Sequence, residues 1–309
     1  MILTALKAGR EDDGKADLKL MNTTLKEMRY TSKIFSSYRT LKKVTVFGSA
    51  RTPNDQILYR MAYALGQKLA ERGYMVITGG GPGIMQAVND GAGPEQSFGV
   101  SIRLPFEQKS NITLDGNPKN IMYKYFFNRK VAFLKESDAI ALFPGGFGTL
   151  DEGMETLTLL QTGKRNPVPL IFIDAPGGMY WQSFLDFCKS QLLASGYISA
   201  SDFNFFEMVD SIDAAVEKIG RFYYRYHSIR YLRDKMLLRL NTGLEAGKIE
   251  ELKARFADIL TCGGDIRLSG PFPEEIEEPE INHLPRLVID FNRRDFGRLK
   301  ALIDAINQD

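Results

Sequence analysis

The sequence is sparse in the residues that announce several common chemistries. Two cysteines, Cys188 and Cys262, stand far apart with no CxxC spacing, which excludes a disulfide-stapled miniprotein and a thiolate zinc module. Two free thiols in a reducing compartment are expected, with a single bridge left open. Only two histidines occur, His227 and His283, and neither belongs to an HExxH pattern; no metal is expected. No apolar run approaches the ~20 residues of a membrane span, and the opening MILTALKAGREDDGKADLKL has too short an apolar stretch for a signal peptide. A cytoplasmic protein with no membrane partner is the expectation. Charge of either sign is not in excess, the net value being +2, so no global basic field points to nucleic acid. Two phosphate-binding signatures are missing as well. Gly163-Lys164 is followed by Arg165 rather than Ser or Thr, and Gly79 and Gly81 are followed by Ile84 where GxGxxG requires glycine.

The 309 residues, 44% hydrophobic and 25% charged, suffice for roughly two domains, or one α/β domain with extensions. From Lys43, short β-rich runs (VTVFGS, YMVITGG, FGVSIRL, AIALF, VPLIFID) alternate with segments of helical spacing. Continuous apolar strands are buried on both faces, and alternation with helices forces parallel crossovers. The predicted class is α/β, a doubly wound Rossmann-like parallel sheet with an N-terminal helical extension and a C-terminal α+β extension. The expected divisions are 1–42, 43–225 and 226–309. Within the extensions the pattern predicts a helix from about Asp17 to Ser37 and a long helix from Ser211 to about Leu240. The latter carries the basic, aromatic RFYYRYHSIRYLRDK, with Phe222, Tyr223, Tyr226 and Leu232 on a packed face rather than on nucleic acid. Strands at Asp265–Ser269 and Arg286–Phe291 follow, separated by PEEIEEPE, read as a solvated acidic loop.

Ligands of open parallel sheets bind beyond the carboxyl ends of the strands. Three strands here exit into glycine-bearing turns: Gly48-Ser49-Ala50-Arg51, Thr78-Gly-Gly-Gly-Pro-Gly83 and Pro144-Gly-Gly-Phe-Gly-Thr149. Glycine allows close backbone approach, and the amides and dipole of a helix N-terminus attract an anion such as phosphate. Each turn alone is equally well read as tight strand-to-helix packing; three expected on one edge favour a ligand site. Glu152 has two readings. Thr149-x-x-Glu152 fits a capping box, and a carboxylate in the first helical turn beside a sugar phosphate can also stabilise positive charge on the sugar.

Pro144-Gly-Gly-Phe-Gly-Thr-Leu-Asp-Glu152 resembles the PGGxGTxxE motif of the Lonely Guy (LOG) family, and Asn128-Arg129-Lys130 resembles its Arg-Lys element. VFGSAR and VITGGGPGIMQAVNDGA extend the likeness over roughly residues 43–225. The resemblance implies a phosphoribohydrolase, an N-glycosidic hydrolase that cleaves a nucleoside 5′-monophosphate, AMP-like or a cytokinin nucleotide, to free base and ribose 5-phosphate without a cofactor. It assigns Arg129 and Glu152 as the catalytic pair and Gly145, Gly146, Gly148 and Thr149 as the phosphate cradle. Ser49, Arg51, Gly80, Gly81, Met85 and Lys130 are further nucleotide-site candidates. It also implies a homodimer or larger homo-oligomer. Members are often labelled lysine decarboxylases, but nothing in these motifs supplies a Schiff-base environment for a pyridoxal lysine. The alternative function is a noncatalytic nucleotide- or molybdenum-cofactor-binding protein of the same fold. Removal of residues 1–40 is expected to spare the chemistry.

Overall fold

The protein is described by a computed structural model covering residues 1–11, 14–105, 109–233, 235–275 and 278–308. It comprises two compact units, Met1–Glu152 and Gly153–Asp309.

The first unit opens with helices α1 (Ile2–Glu11) and α2 (Lys15–Ser36), then continues as β1 (Lys43–Phe47), α3 (Ile57–Glu71), β2 (Met75–Thr78), α4 (Ile84–Ala92), β3 (Ser97–Ile102), β4 (Asn120–Tyr123), α5 (Phe126–Glu136) and β5 (Ala139–Leu142). Helix α6 (Phe147–Gln161) starts in this unit. All pairings are parallel: β4 with β3, β3 with β2, β2 with β1, and β1 with β5. Strand order is thus β4-β3-β2-β1-β5. The chain winds outward from β1 to β4, then returns through α5 to the opposite side of β1. Right-handed crossovers place α3 and α4 on one face and α5 on the other. This is the doubly wound arrangement, and its switch point lies where the chains leaving β1 and β5 diverge. Strands β1, β2 and β5 are buried at every residue, as central parallel strands covered on both faces are.

Helix α2 belongs to this core. The Phe35 ring stacks on Phe98 of β3 with centroids 4.4 Å apart, and Thr31 hydrogen-bonds the Tyr123 hydroxyl at the end of β4. Burial pushes the Tyr123 phenol up to about 12, so it stays neutral in this contact.

The second unit contains the parallel pair β6 (Leu170–Ile173) and β7 (Glu207–Val209), with α7 (Tyr180–Phe187) between them, followed by α8 (Ile212–Phe222). An antiparallel sheet comes next, β8 (Tyr226–Tyr231), β9 (Met236–Leu240), β10 (Ile266–Ser269) and β11 (Arg286–Ile289), in the order β10-β11-β9-β8. Its helices are α9 (Ala246–Arg255) and α10 (Phe296–Ile306), and the shared apolar core includes Leu238, Leu287, Leu252 and Leu302.

Two expectations fail in this unit. The helix from Ser211 does not reach Leu240; it ends at Phe222, and β8 and β9 pair antiparallel in its place. Met236–Leu240 is buried throughout as a central strand, a position where an apolar run pairs on both edges and so prefers sheet to helix. The acidic run is not simply solvated either. Residues 276–277 lie outside the described residues, but Glu275 is fully buried against Arg239 and Arg286. These arginines face each other across β9 and β11, and the carboxylate compensates two like charges that would otherwise repel.

Candidate functional site

The three glycine turns meet at the switch point. The Ser49 N–H donates to the Pro144 carbonyl at 3.1 Å, joining the turn after β1 to that after β5. The Ser49 carbonyl accepts the Ile84 N–H at 3.0 Å, joining the same turn to the start of α4. Gly83 has φ +66°, and a side chain there would meet the Ser49 carbonyl at 2.4 Å; only glycine permits this approach. The Met85 side chain lies over Gly79 and Gly81. Gly80 is braced beneath: its N–H donates to Thr78 Oγ1 at 3.1 Å, and its carbonyl accepts the Asn111 N–H at 2.9 Å. Asn111 Nδ2 also donates to the Gly81 carbonyl at 3.2 Å and to Asn89 Oδ1 at 3.0 Å. Sequence reasoning missed Asn89 and Asn111, because no motif links a helix residue to a loop across the sheet edge. Arg51 is exposed.

The turn after β5 separates its residues by role. Helix α6 begins at Phe147, and the Gly146 carbonyl accepts the N–H groups of Thr149 at 3.0 Å and Leu150 at 3.1 Å. Thr149 is therefore inside the first turn and does not cap the helix, which corrects the capping-box reading. Its side chain is buried, with Oγ1 packed at Gly145. Gly146 and Gly148 face open space, and the Phe147 ring between them is 92% exposed. The helix's own bonding starts with the Thr149 amide, so the amides ahead of it, at Phe147 and Gly148, have no acceptor one turn back, and the exposed side of this turn is suited to an anion.

Helix α5 brings two cations to the same place. Arg129 Nη2 is 3.8 Å from Glu152 Oε1, and Lys130 Nζ is 3.7 Å from Glu152 Oε2 and 2.8 Å from Asp151 Oδ2. Glu152 is only 3% exposed, and both cations approach its carboxylate. The Arg129 guanidinium rests over the rings of Phe126 and Phe133, at 4.9 and 5.5 Å. Its Nε is buried with no hydrogen-bond partner among the described residues. Burial draws the Arg129 pKa down, opposed by Glu152 and Asp151; an arginine nonetheless stays charged at neutral pH. Among the described residues no group of three or more His, Cys, Asp or Glu could hold a metal ion, and no helix is long and apolar enough to cross a membrane.

The nucleotide-site candidates thus lie on the turns leaving β1, β2 and β5, at the start of α4, on α5 and in the first turns of α6. A family described as "Possible lysine decarboxylase" matches residues 85–219. The chain is 32% identical over 169 residues to a rice (Oryza sativa subsp. japonica) protein named probable cytokinin riboside 5′-monophosphate phosphoribohydrolase LOGL3, covering 52% of this chain and 74% of that one. To the Arabidopsis thaliana cytokinin riboside 5′-monophosphate phosphoribohydrolase LOG1 it is 26% identical over 192 residues, covering 61% and 87%. A molybdenum cofactor carrier protein from Chlamydomonas reinhardtii, 18% identical, overlays 59% of this chain and 97% of its own with a TM-score of 0.42. Identity above 30% over most of a relative, joined to the glycine turn and the Arg-Lys element, identifies this chain as a member of the LOG family.

Proposed function

We propose that the protein is a nucleoside 5′-monophosphate phosphoribohydrolase, releasing free base and ribose 5-phosphate. The observation that carries the reading is the placement of Glu152 between Arg129 and Lys130, beside the open turn at Gly146 and Gly148. In this reading the 5′-phosphate takes the first-turn amides of α6, where the helix dipole favours negative charge. Gly145 and the buried Thr149 shape that turn, while Ser49, Gly80, Gly81 and Met85 form the rim.

Loss of the base leaves positive charge on the ribose. A fixed carboxylate near the anomeric carbon stabilises that charge more in the transition state than in the substrate. Glu152 takes this role and also orients the attacking water. Arg129 holds the carboxylate and reaches the substrate through its planar fork. Lys130, its ammonium engaged by Asp151 and Glu152, is poorly disposed to form the Schiff base a decarboxylase needs. A fixed carboxylate held between two cations suits stabilisation of a ribosyl cation, which favours hydrolysis over cofactor carriage.

The test is incubation of the full chain with AMP, GMP, IMP, CMP, UMP and a cytokinin riboside 5′-monophosphate, quantifying free base and ribose 5-phosphate. Release from at least one nucleotide is expected; none from any, with folded protein, overturns the reading.

A further inference from the structure

The start of α5 carries a contact that the proposed chemistry does not use. Glu27 of α2 grips it with both carboxylate oxygens: Oε1 accepts the Lys124 backbone N–H at 2.7 Å, and Oε2 accepts Asn128 Nδ2 at 2.6 Å. Lys124 precedes the first helical residue, Phe126, by two positions, and Asn128 is the third residue of α5, so one carboxylate spans the helix entrance. Asn128 is 2% exposed, and Thr24 Oγ1 lies 3.4 Å from the same Nδ2. An anion at this end of α5 also meets the positive end of its dipole.

Asn128 is followed directly by Arg129 and Lys130. Residues on a helix share its rotation and axial shift, so whatever fixes Asn128 fixes where the next two side chains meet Glu152. We propose that Glu27 is a positioning residue for the Arg129–Lys130–Glu152 group: the N-terminal helix sets the rotation and depth of α5 through one carboxylate. The proposal rests on the hydrolase reading. The covering role of α2 is carried further along it, by Thr31 against Tyr123 and Phe35 against Phe98, so the clamp can be removed while the cover stays.

In Glu27→Gln one of the two donors loses its acceptor. Assayed on the full chain with the nucleotide that turns over fastest, this variant is expected to lose about tenfold in kcat with KM within about twofold, because small misplacements of reacting groups cost rate more than binding. Its thermal midpoint should stay near wild type. The exchange Glu27→Gln with Asn128→Asp restores both bonds, the one between 27 and 128 with its polarity reversed, since the Gln amide donates to Asp and its carbonyl still accepts Lys124 N–H. It is expected to recover most of the lost kcat. Asn128→Ala, which leaves α2 untouched, should show the same kcat loss and serves if Glu27→Gln does not fold. Wild-type kcat in both single variants overturns the positioning role alone, as does a loss in folded Glu27→Gln that the exchange leaves unrecovered. An inactive wild-type chain overturns the hydrolase reading and this inference with it.

Discussion

Thr149 Oγ1 occupies the space that a side chain on Gly145 would need, 2.1 Å from where its Cβ would stand, and the Ser49 backbone nitrogen is 3.0 Å from the same point. A methyl group at 145 therefore forces apart either the first turn of α6 or the junction between the turns after β1 and β5. Gly146 has nothing within 4 Å of the equivalent position. Gly145→Ala is expected to destabilise the protein by about 1–3 kcal/mol, the usual cost of overpacking. Gly146→Ala should leave the unfolding midpoint near wild type yet raise KM for nucleotide, since its Cβ enters space the phosphate would use. Thermal unfolding and steady-state kinetics on the two variants check this; equal midpoint losses would mean that both glycines serve packing.

Glu152→Gln keeps the shape of the side chain and removes its charge. If the carboxylate stabilises a developing ribosyl cation, turnover should fall by about a hundredfold or more, while nucleotide binding measured by calorimetry stays within about tenfold. A lower thermal midpoint should accompany the loss, because Arg129 and Lys130 then lack the anion between them. Unchanged turnover would place the charge-stabilising group elsewhere.

The glycine turns are legible in the sequence because strand, turn and helix are contiguous, and the sheet order then fixes which turns meet. Ser49 and Pro144 illustrate this: neither is informative alone, but parallel pairing of β1 with β5 puts their turns in hydrogen-bond contact. Contacts between remote elements were hidden. Glu27 and Asn128 are 101 residues apart, and nothing local in either segment names the other. The pairing of β8 with β9 was obscured by ambiguity of period: Tyr226 and Ile229 are both buried at a spacing of three, which suits a helix, while the decisive fact, a neighbour on each edge of β9, is tertiary. The start of α6 was misplaced because Thr149 and Glu152 fit a capping pattern, whereas the Gly146 carbonyl takes the first amides.

The sequence reading assigns residues 1–40 to an extension whose removal spares the chemistry; the position of α2 argues the reverse. Phe35 is 1% exposed and stacked on Phe98 with 14° between ring planes. Phe35→Ala is expected to cost about 3–5 kcal/mol, the range for a buried aromatic. Deleting residues 1–40 should uncover Phe98 and Tyr123 and abolish both cooperative unfolding and turnover. A truncated chain with wild-type kcat and a sharp thermal transition would show that the remaining fold closes without α2.

Glu275 offers a pH test in the second unit. It is fully buried, accepts Arg239 Nε at 2.8 Å on Oε1, and accepts Arg286 Nε at 3.2 Å and the Phe272 N–H at 3.0 Å on Oε2. Burial by itself raises its pKa, but the Phe272 N–H and the two guanidinium groups together outweigh that, and the carboxyl sits below its ordinary value. A depressed folded pKa means that the folded state binds the proton less readily than the unfolded chain. The stabilisation is then present above the unfolded value of about 4.3 and drains away as pH falls through the lower folded value. Glu275→Gln cannot take up that proton and leaves the buried Arg286 without its anion and Arg239 with Glu278 alone, so at pH 7 it should be less stable by about 3–5 kcal/mol. Denaturant unfolding of both proteins from pH 7 to pH 3 should show the gap narrowing only below about pH 4. A gap that stays constant across that range would mean that Glu275 holds the same pKa folded and unfolded.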